Sequence, residues 1–167
     1  MITYRRAQAK DVTKIASLHA LSWQTAYKGI MTENFLKNEV EKDRLQVWQE
    51  RFEHEEDYFV WIAEKNQHLA GFVCLVTKPD ADKGYLLDNL HVHPSFKGSG
   101  IGKVLFLKAA SVSRKLSPTI PLYLWVFDQN HQAVKFYEAL EGKHMETITT
   151  EVPGGTTSYV RRYAWFV

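Results

Sequence analysis

Leu90–Lys103 reads LHVHPSFKGSGIGK. The order is a strand, a Pro-punctuated turn, a glycine-rich loop and the start of a helix. Gly98, Gly100 and Gly102 alternate just before an amphipathic run. Such glycines let a backbone approach a bulky anion and adopt φ values closed to other residues. The first N–H groups of the following helix lack intrahelical partners and carry partial positive charge. The pattern therefore predicts a phosphate cradle, suited to a pyrophosphate. Two other phosphate loops fit poorly. G-x-x-x-x-G-K-[ST] fails because Lys97 stands at its first glycine and Val104 follows Lys103. G-x-G-x-x-G fails because the third glycine comes one residue early.

Upstream of the loop, Tyr85 to Val92 reads as a strand. Simple alternation puts Leu86, Asp88, Leu90 and Val92 on one side and Tyr85, Leu87, Asn89 and His91 on the other. Downstream, a helix runs from Ile101 to about Leu116, with Ile101, Leu105, Ala109, Val112 and Leu116 as its apolar stripe, and Pro118 stops it. Ile120 to Phe127 is apolar on both faces, as in a central strand covered by helices. Asn130 can N-cap a helix that gathers Ala133, Phe136, Tyr137 and Leu140 on one face and ends at Gly142. Closing strands over about 144–151 and 157–166 flank the turn Pro153-Gly154-Gly155.

The N-terminal half opens with a strand over residues 2–6. Asp11 then N-caps a helix whose inward face is Val12, Ile15, Ala16, His19, Trp23 and Tyr27, ended by Gly29. A broken, polar helical region spans about 32–52, with Trp48 and Phe52 turned inward. A hairpin follows, Tyr58–Glu64 and Leu69–Thr77 about Asn66-Gln67. This order predicts an α+β fold with a mixed sheet, in a single domain over 1–167, and not a regularly alternating doubly wound fold.

Bulk properties narrow the function. The formal net charge of +2 is small and dispersed, which argues against nucleic acid as a partner. No apolar run approaches the ~20 residues of a membrane span, and MITYRR leads into no signal-peptide core. A cytoplasmic protein is expected. Cys74, the one cysteine, sits in an apolar run and reads as a small buried hydrophobe. No metal-ligand spacing appears, so no metal is expected.

Two segments together resemble the GNAT N-acetyltransferases, and the element order extends the resemblance over the whole chain. Leu90–Gly102 is similar to that family's acetyl-CoA loop, usually written Q/R-x-x-G-x-G/A. Asn130–Tyr137 is similar to its N-x-x-A-x-x-F/Y-Y segment. The resemblance implies an α/β/α fold with a central mixed, mostly antiparallel, splayed sheet flanked by helices. It implies that Lys97, Gly98, Ser99, Gly100, Ile101, Gly102 and Lys103 hold the pyrophosphate of acetyl-CoA. Leu90 and Val92 would pair with the pantetheine arm and polarise the acetyl carbonyl. Asn130, Ala133 and Phe136 would border the arm, and Tyr137 would stand near the sulfur. Lys97 departs from the family's Gln or Arg, keeping charge without a bidentate fork. Lys143 departs from its usual Phe after Gly142.

The implied activity is direct transfer of an acetyl group to a primary amine of a small molecule or a protein. Tyr137 is the expected acid for the leaving thiolate. His91 is the candidate base, directly or through water, because imidazole titrates near neutrality; the alternative is a chain of waters with no side-chain base, and Asn89 would orient the acceptor or a water. Asp88, across the strand from His91, can share one pocket with it only through a bulge. His19, Trp23 and Tyr27 are expected to border an aromatic acceptor pocket that draws a cationic amine onto ring faces. The acidic run Glu53–Asp57 is a further candidate attractor. The rival reading is a non-catalytic acyl-CoA sensor with the same cradle. The aromatic C-terminal strand, Tyr159 to Val167, is either tucked against the sheet or covered by a partner subunit; the resemblance adds weight to a homodimer.

Overall fold

The computed structural model describes residues 1–166. The chain opens with β1 (Ile2–Arg6), α1 (Val12–Ala26) and α2 (Val40–Glu53), the last preceded by a π-helical turn at Phe35–Glu39. A three-strand run follows: β2 (Tyr58–Lys65), β3 (His68–Val76) and β4 (Tyr85–Val92). Then come α3 (Ile101–Leu116), β5 (Leu122–Phe127), α4 (His131–Ala139), β6 (Lys143–Val152) and β7 (Thr156–Trp165). The strands form one seven-stranded sheet in the order β1-β2-β3-β4-β5-β7-β6. Every neighbouring pair is antiparallel except β4 with β5.

Helices cover both faces, giving the expected α/β/α layering. On one face, Val12, Ile15 and Trp48 pack with Ile62, Phe72 and Cys74. On the other, Ile101, Leu105 and Val134 pack with Val73, Leu75, Leu124 and Tyr163. The β2–β3 hairpin turns through Asn66 and Gln67 with φ of 51° and 65°, the left-handed pair that a tight two-residue turn requires. The α3 stripe holds at Ile101, Leu105 and Ala109, but Leu116 is 48% exposed at the helix end. Phe106, off that stripe, is buried against Trp165.

The aromatic terminus is largely covered by the chain itself. Tyr163 is buried, and Trp165 Nε1–H donates to Leu140 O at 2.8 Å. Tyr159 and Phe166 remain exposed. Val167, the last residue of the expected closing strand, lies outside the described residues. Among the described residues no helix is long and apolar enough to cross a membrane.

β4 and β5 pair at two positions only, Tyr85 opposite Leu122 and Leu86 opposite Tyr123, and then diverge. Gly84 makes that short pairing feasible. Its φ is +104°, and a Cβ there would lie 2.1 Å from Pro121 O. The absence of a side chain lets Tyr85 N–H donate to the same Pro121 O at 2.9 Å. Gly84→Ala should therefore cost about 2–4 kcal/mol of stability, from backbone strain and overpacking together. Urea unfolding would check this; a loss below about 1 kcal/mol would refute the close approach.

Candidate active site

The diverging halves of β4 and β5 open a cavity of about 650 Å³. Its floor is Leu87–Val92 of β4 and Leu124–Phe127 of β5. One end reaches the glycine loop and α4; the other reaches α1, α2 and the tip of the β6–β7 hairpin. The edge of β4 that faces the gap has no strand partner beyond Leu86. His93 N–H donates to Ala70 O of β3 at 2.9 Å. Amide directions alternate along an extended strand, so the N–H groups of Val92 and Leu90 turn into the gap.

A bulge interrupts β4. Cys74 stands opposite Asn89, and the next β3 residue, Leu75, stands opposite Leu87. Asp88 is the extra residue. The expected face assignment fails for this reason. Tyr85 and Leu87 share the α3 face with Leu90 and Val92, while His91 packs against His19 and Phe72 on the α1 face. Arg51 of α2 holds the bulge. Its guanidinium donates to Asn89 Oδ1 at 2.6 Å and to Asp88 Oδ2 at 2.5 Å, and reaches Cys74 Sγ at 3.7 Å. Burial pushes the Cys74 thiol up to about 12, which suits the inert packing role.

At the loop end, Lys97, Gly98, Gly100, Ile101, Gly102 and Lys103 line the cavity. Gly98 and Gly100 have φ of +77° and +80°, and Gly100 is the N-cap of α3. The Ile101 side chain is in the core, so what it offers the gap is backbone. Ser99 turns away, donating its hydroxyl to Phe96 O. Lys97 Nζ lies 3.5 Å from Gln132 Oε1. Asn130, Ala133, Phe136 and Tyr137 all reach the cavity, and the Asn130 side chain caps α4 by accepting from Ala133 N–H at 3.3 Å.

Tyr137 is 8% exposed, and its hydroxyl has no hydrogen-bond partner among the described residues. Burial, and then Tyr27, push its pKa upward. Burial alone pushes Tyr27 up to about 12. Both phenols stay protonated at working pH and present O–H donors to the gap.

Trp23 and Tyr27 line the far end, but His19 does not. His19 is fully buried, and its Nδ1 accepts from Trp48 Nε1–H at 3.0 Å. It backs the wall and is corrected from contact residue to core. Its Nε2 has no partner among the described residues, and its ring centroid lies 4.6 Å from that of His91. His91 and Asn89 do reach the cavity. Burial, then the charges of Arg44 and Lys97, push His91 down to about 3. The expected base that titrates near neutrality is thus a neutral, weakly basic imidazole. Glu53–Asp57 stays off the cavity, with Asp57 paired to Lys78. The sequence reading missed Arg44, Arg51 and Glu151, which all line it. Their helix and hairpin tip carry no spacing that would have marked them.

Both histidines have folded pKa values below the ordinary 6.5, His19 through burial first. The unfolded chain therefore binds protons that the folded chain does not. Stability is full above about 6.5 and declines as pH falls from there. The urea midpoint should drop between about pH 7 and pH 5, above the range where carboxylates titrate. His91→Asn should flatten that decline. An identical midpoint at both pH values would refute the neutral pair.

The family model described as the Acetyltransferase (GNAT) family matches residues 15–142. The N-acetyltransferase YuaI of Bacillus subtilis, itself uncharacterized, is 26% identical over 156 residues, covering 92% of this chain and 87% of that protein. The PaiA N-acetyltransferase of Thermoplasma acidophilum, solved in complex with coenzyme A, superposes with a TM-score of 0.72 at 20% identity, covering 99% of both chains. A mutant of the spermidine N-acetyltransferase SpeG from Vibrio cholerae superposes with a TM-score of 0.70 at 19% identity, over 99% of this chain and 93% of that one. With the family match spanning both walls of the gap and the glycine loop between them, the chain belongs to the GNAT family of acetyltransferases.

Proposed function

We propose that this chain transfers an acetyl group from acetyl-CoA directly to a primary amine of a small molecule or a protein. One observation carries the reading: the unpaired edge of β4 leads, through a single 3-10 turn at Pro94–Phe96, into the glycine loop at the N-terminus of α3. The residues fit the donor. A Cβ at Gly98 or Gly100 would meet nothing within 4 Å, so open space lies before the cradle. Lys97 and Lys103 add charge on the same side. The coenzyme A in the PaiA structure agrees with it.

When bound, acetyl-CoA supplies a thioester carbonyl activated towards amines. The chain's residues do the rest. Gly98–Lys103 backbone N–H groups and the α3 terminus hold the pyrophosphate. Leu90 and Val92 offer backbone bonds to the extended arm. The Leu90 N–H, which turns into the gap, would donate to the carbonyl oxygen, where negative charge develops as nitrogen attacks. A carbon–nitrogen bond forms as the carbon–sulfur bond breaks; nitrogen loses one proton and sulfur gains one. The Tyr137 O–H stabilises the departing thiolate as a donor. Its raised pKa makes complete transfer of the proton less favourable than for a free phenol, so its contribution is chiefly position. Asn89 and neutral His91 can accept a hydrogen bond from the amine, whose proton leaves through water.

Gly100→Val should weaken acetyl-CoA at least tenfold in calorimetry, because a branched side chain fills the open cradle. Unchanged affinity in a folded variant would refute the loop assignment. Tyr137→Phe retains the ring and removes one hydroxyl. It should lower kcat by about 10²-fold or more while changing acetyl-CoA affinity less than threefold. A kcat within twofold of wild type, with chemistry rate-limiting, would remove Tyr137 from the reaction.

A further inference from the structure

We infer that the amine acceptor also bears a carboxylate, and that Arg44 binds it; the inference rests on the acetyl-transfer reading above. Arg44 is only 9% exposed, yet it lines the cavity. Its guanidinium carbon sits 4.1 Å over the Trp23 ring centroid, which fixes the position of the planar fork. Its Nε and Nη2 both donate to a single oxygen, Asp43 Oδ2, at 2.8 and 2.6 Å. Asp43 is the adjacent residue and its side chain is 37% exposed, so that bond lies on the solvent side. Nη1 has no protein partner among the described residues. Burial first, and this charge after it, disfavour protonation of both His91 and His19.

Asp43 meets the charge on the solvent side only, and the donors left over can take a second anion from the cavity side. A guanidinium fork matches a carboxylate better than any neutral group. The other cations of the cavity are already assigned. Arg51 is engaged by Asp88, Asn89 and Cys74, which hold it against the bulge. Lys97 and Lys103 stand at the phosphate end. The acidic lining residues offer little to a second cation on the acceptor: Asp88 is bound to Arg51, and Glu151 is exposed at the rim. Arg44 also occupies a face of Trp23, the surface expected from sequence to attract a cationic amine. The acceptor end is thus built for a molecule whose amine points to Leu90 and His91 while its acid reaches α2.

The test uses conjugates in which the sulfur of coenzyme A is joined through an acetyl bridge to the acceptor nitrogen. Glycine, β-alanine and 4-aminobutyrate each supply one conjugate, and each is matched by its own amide. A 1,3-diaminopropane conjugate supplies the dicationic arm. Calorimetry on the full chain should find at least one acid binding tenfold or more tighter than its amide and than the diamine. Arg44→Gln should erase that preference, and Arg44→Lys should keep part of it. Acetyl-CoA affinity should stay within twofold in both variants, which also reports that the cleft is folded. If Arg44→Gln does not fold, Arg44→Lys and the wild-type acid-to-amide ratio decide. The inference is overturned if no acid exceeds its amide by more than threefold, if the preference survives Arg44→Gln, or if the diamine binds tightest. Should acetyl-CoA and all conjugates fail to bind, the acetyl-transfer reading itself falls. If all conjugates bind alike, that reading stands and only the carboxylate is lost.

Discussion

The site depends on how briefly two strands are allowed to pair. β4 and β5 meet in parallel at two residue pairs and then separate. Continued pairing would place β5 against the backbone groups of Leu90 and Val92. Separation leaves those groups unclaimed, and buried or ligand-facing backbone donors must find partners. Side chains maintain the gap: Leu87, Leu124, Val134 and Tyr137 belong to one packed cluster beneath it. The cleft is therefore a missing stretch of sheet, held open by a continuous core.

Arg51 converts that gap into a site of definite shape. An extra residue in a strand would otherwise leave Asp88 and Asn89 free to take several arrangements. One guanidinium, 15% exposed, bonds both side chains and ties the strand to α2. A pair buried this far contributes modestly to net stability, since desolvation offsets much of the attraction. Its value is geometric: it fixes the phase of the strand on each side of the bulge. The π-helical turn at Phe35–Glu39 precedes α2, the helix that carries both Arg44 and Arg51 to the cavity.

Much of this was legible from residue order. The glycine spacing, Asn130 as a cap, and the apolar stripe of α3 located the cradle and its helices, because each signal is local and repeats at a known period. The bulge at Asp88 was not legible. Period-two alternation assigns faces only while a strand is regular, and nothing in Tyr85–Val92 announces an extra residue. His19 shared a helical face with Trp23 and Tyr27, yet ended in the core. Spacing along a helix gives direction around its axis, not depth beneath the sheet it packs on. Arg44 and Arg51 lay in a segment whose polarity resembled a solvated surface. Their burial depends on tertiary partners, Trp23 and Asp88, that lie far away in the chain.

The two-pair junction has a consequence for how the molecule opens. On one side lie β1 to β4, joined by antiparallel pairing along their lengths; on the other lie β5, β7 and β6, joined likewise. Backbone bonds crossing the junction are few, while the packed cluster crosses it freely. Amide exchange should therefore resolve two cooperative blocks of strands, bounded at Gly84 and Pro121. A molecule bonded to both walls of the gap would couple them, so that deuterium uptake on either side of the junction slows together.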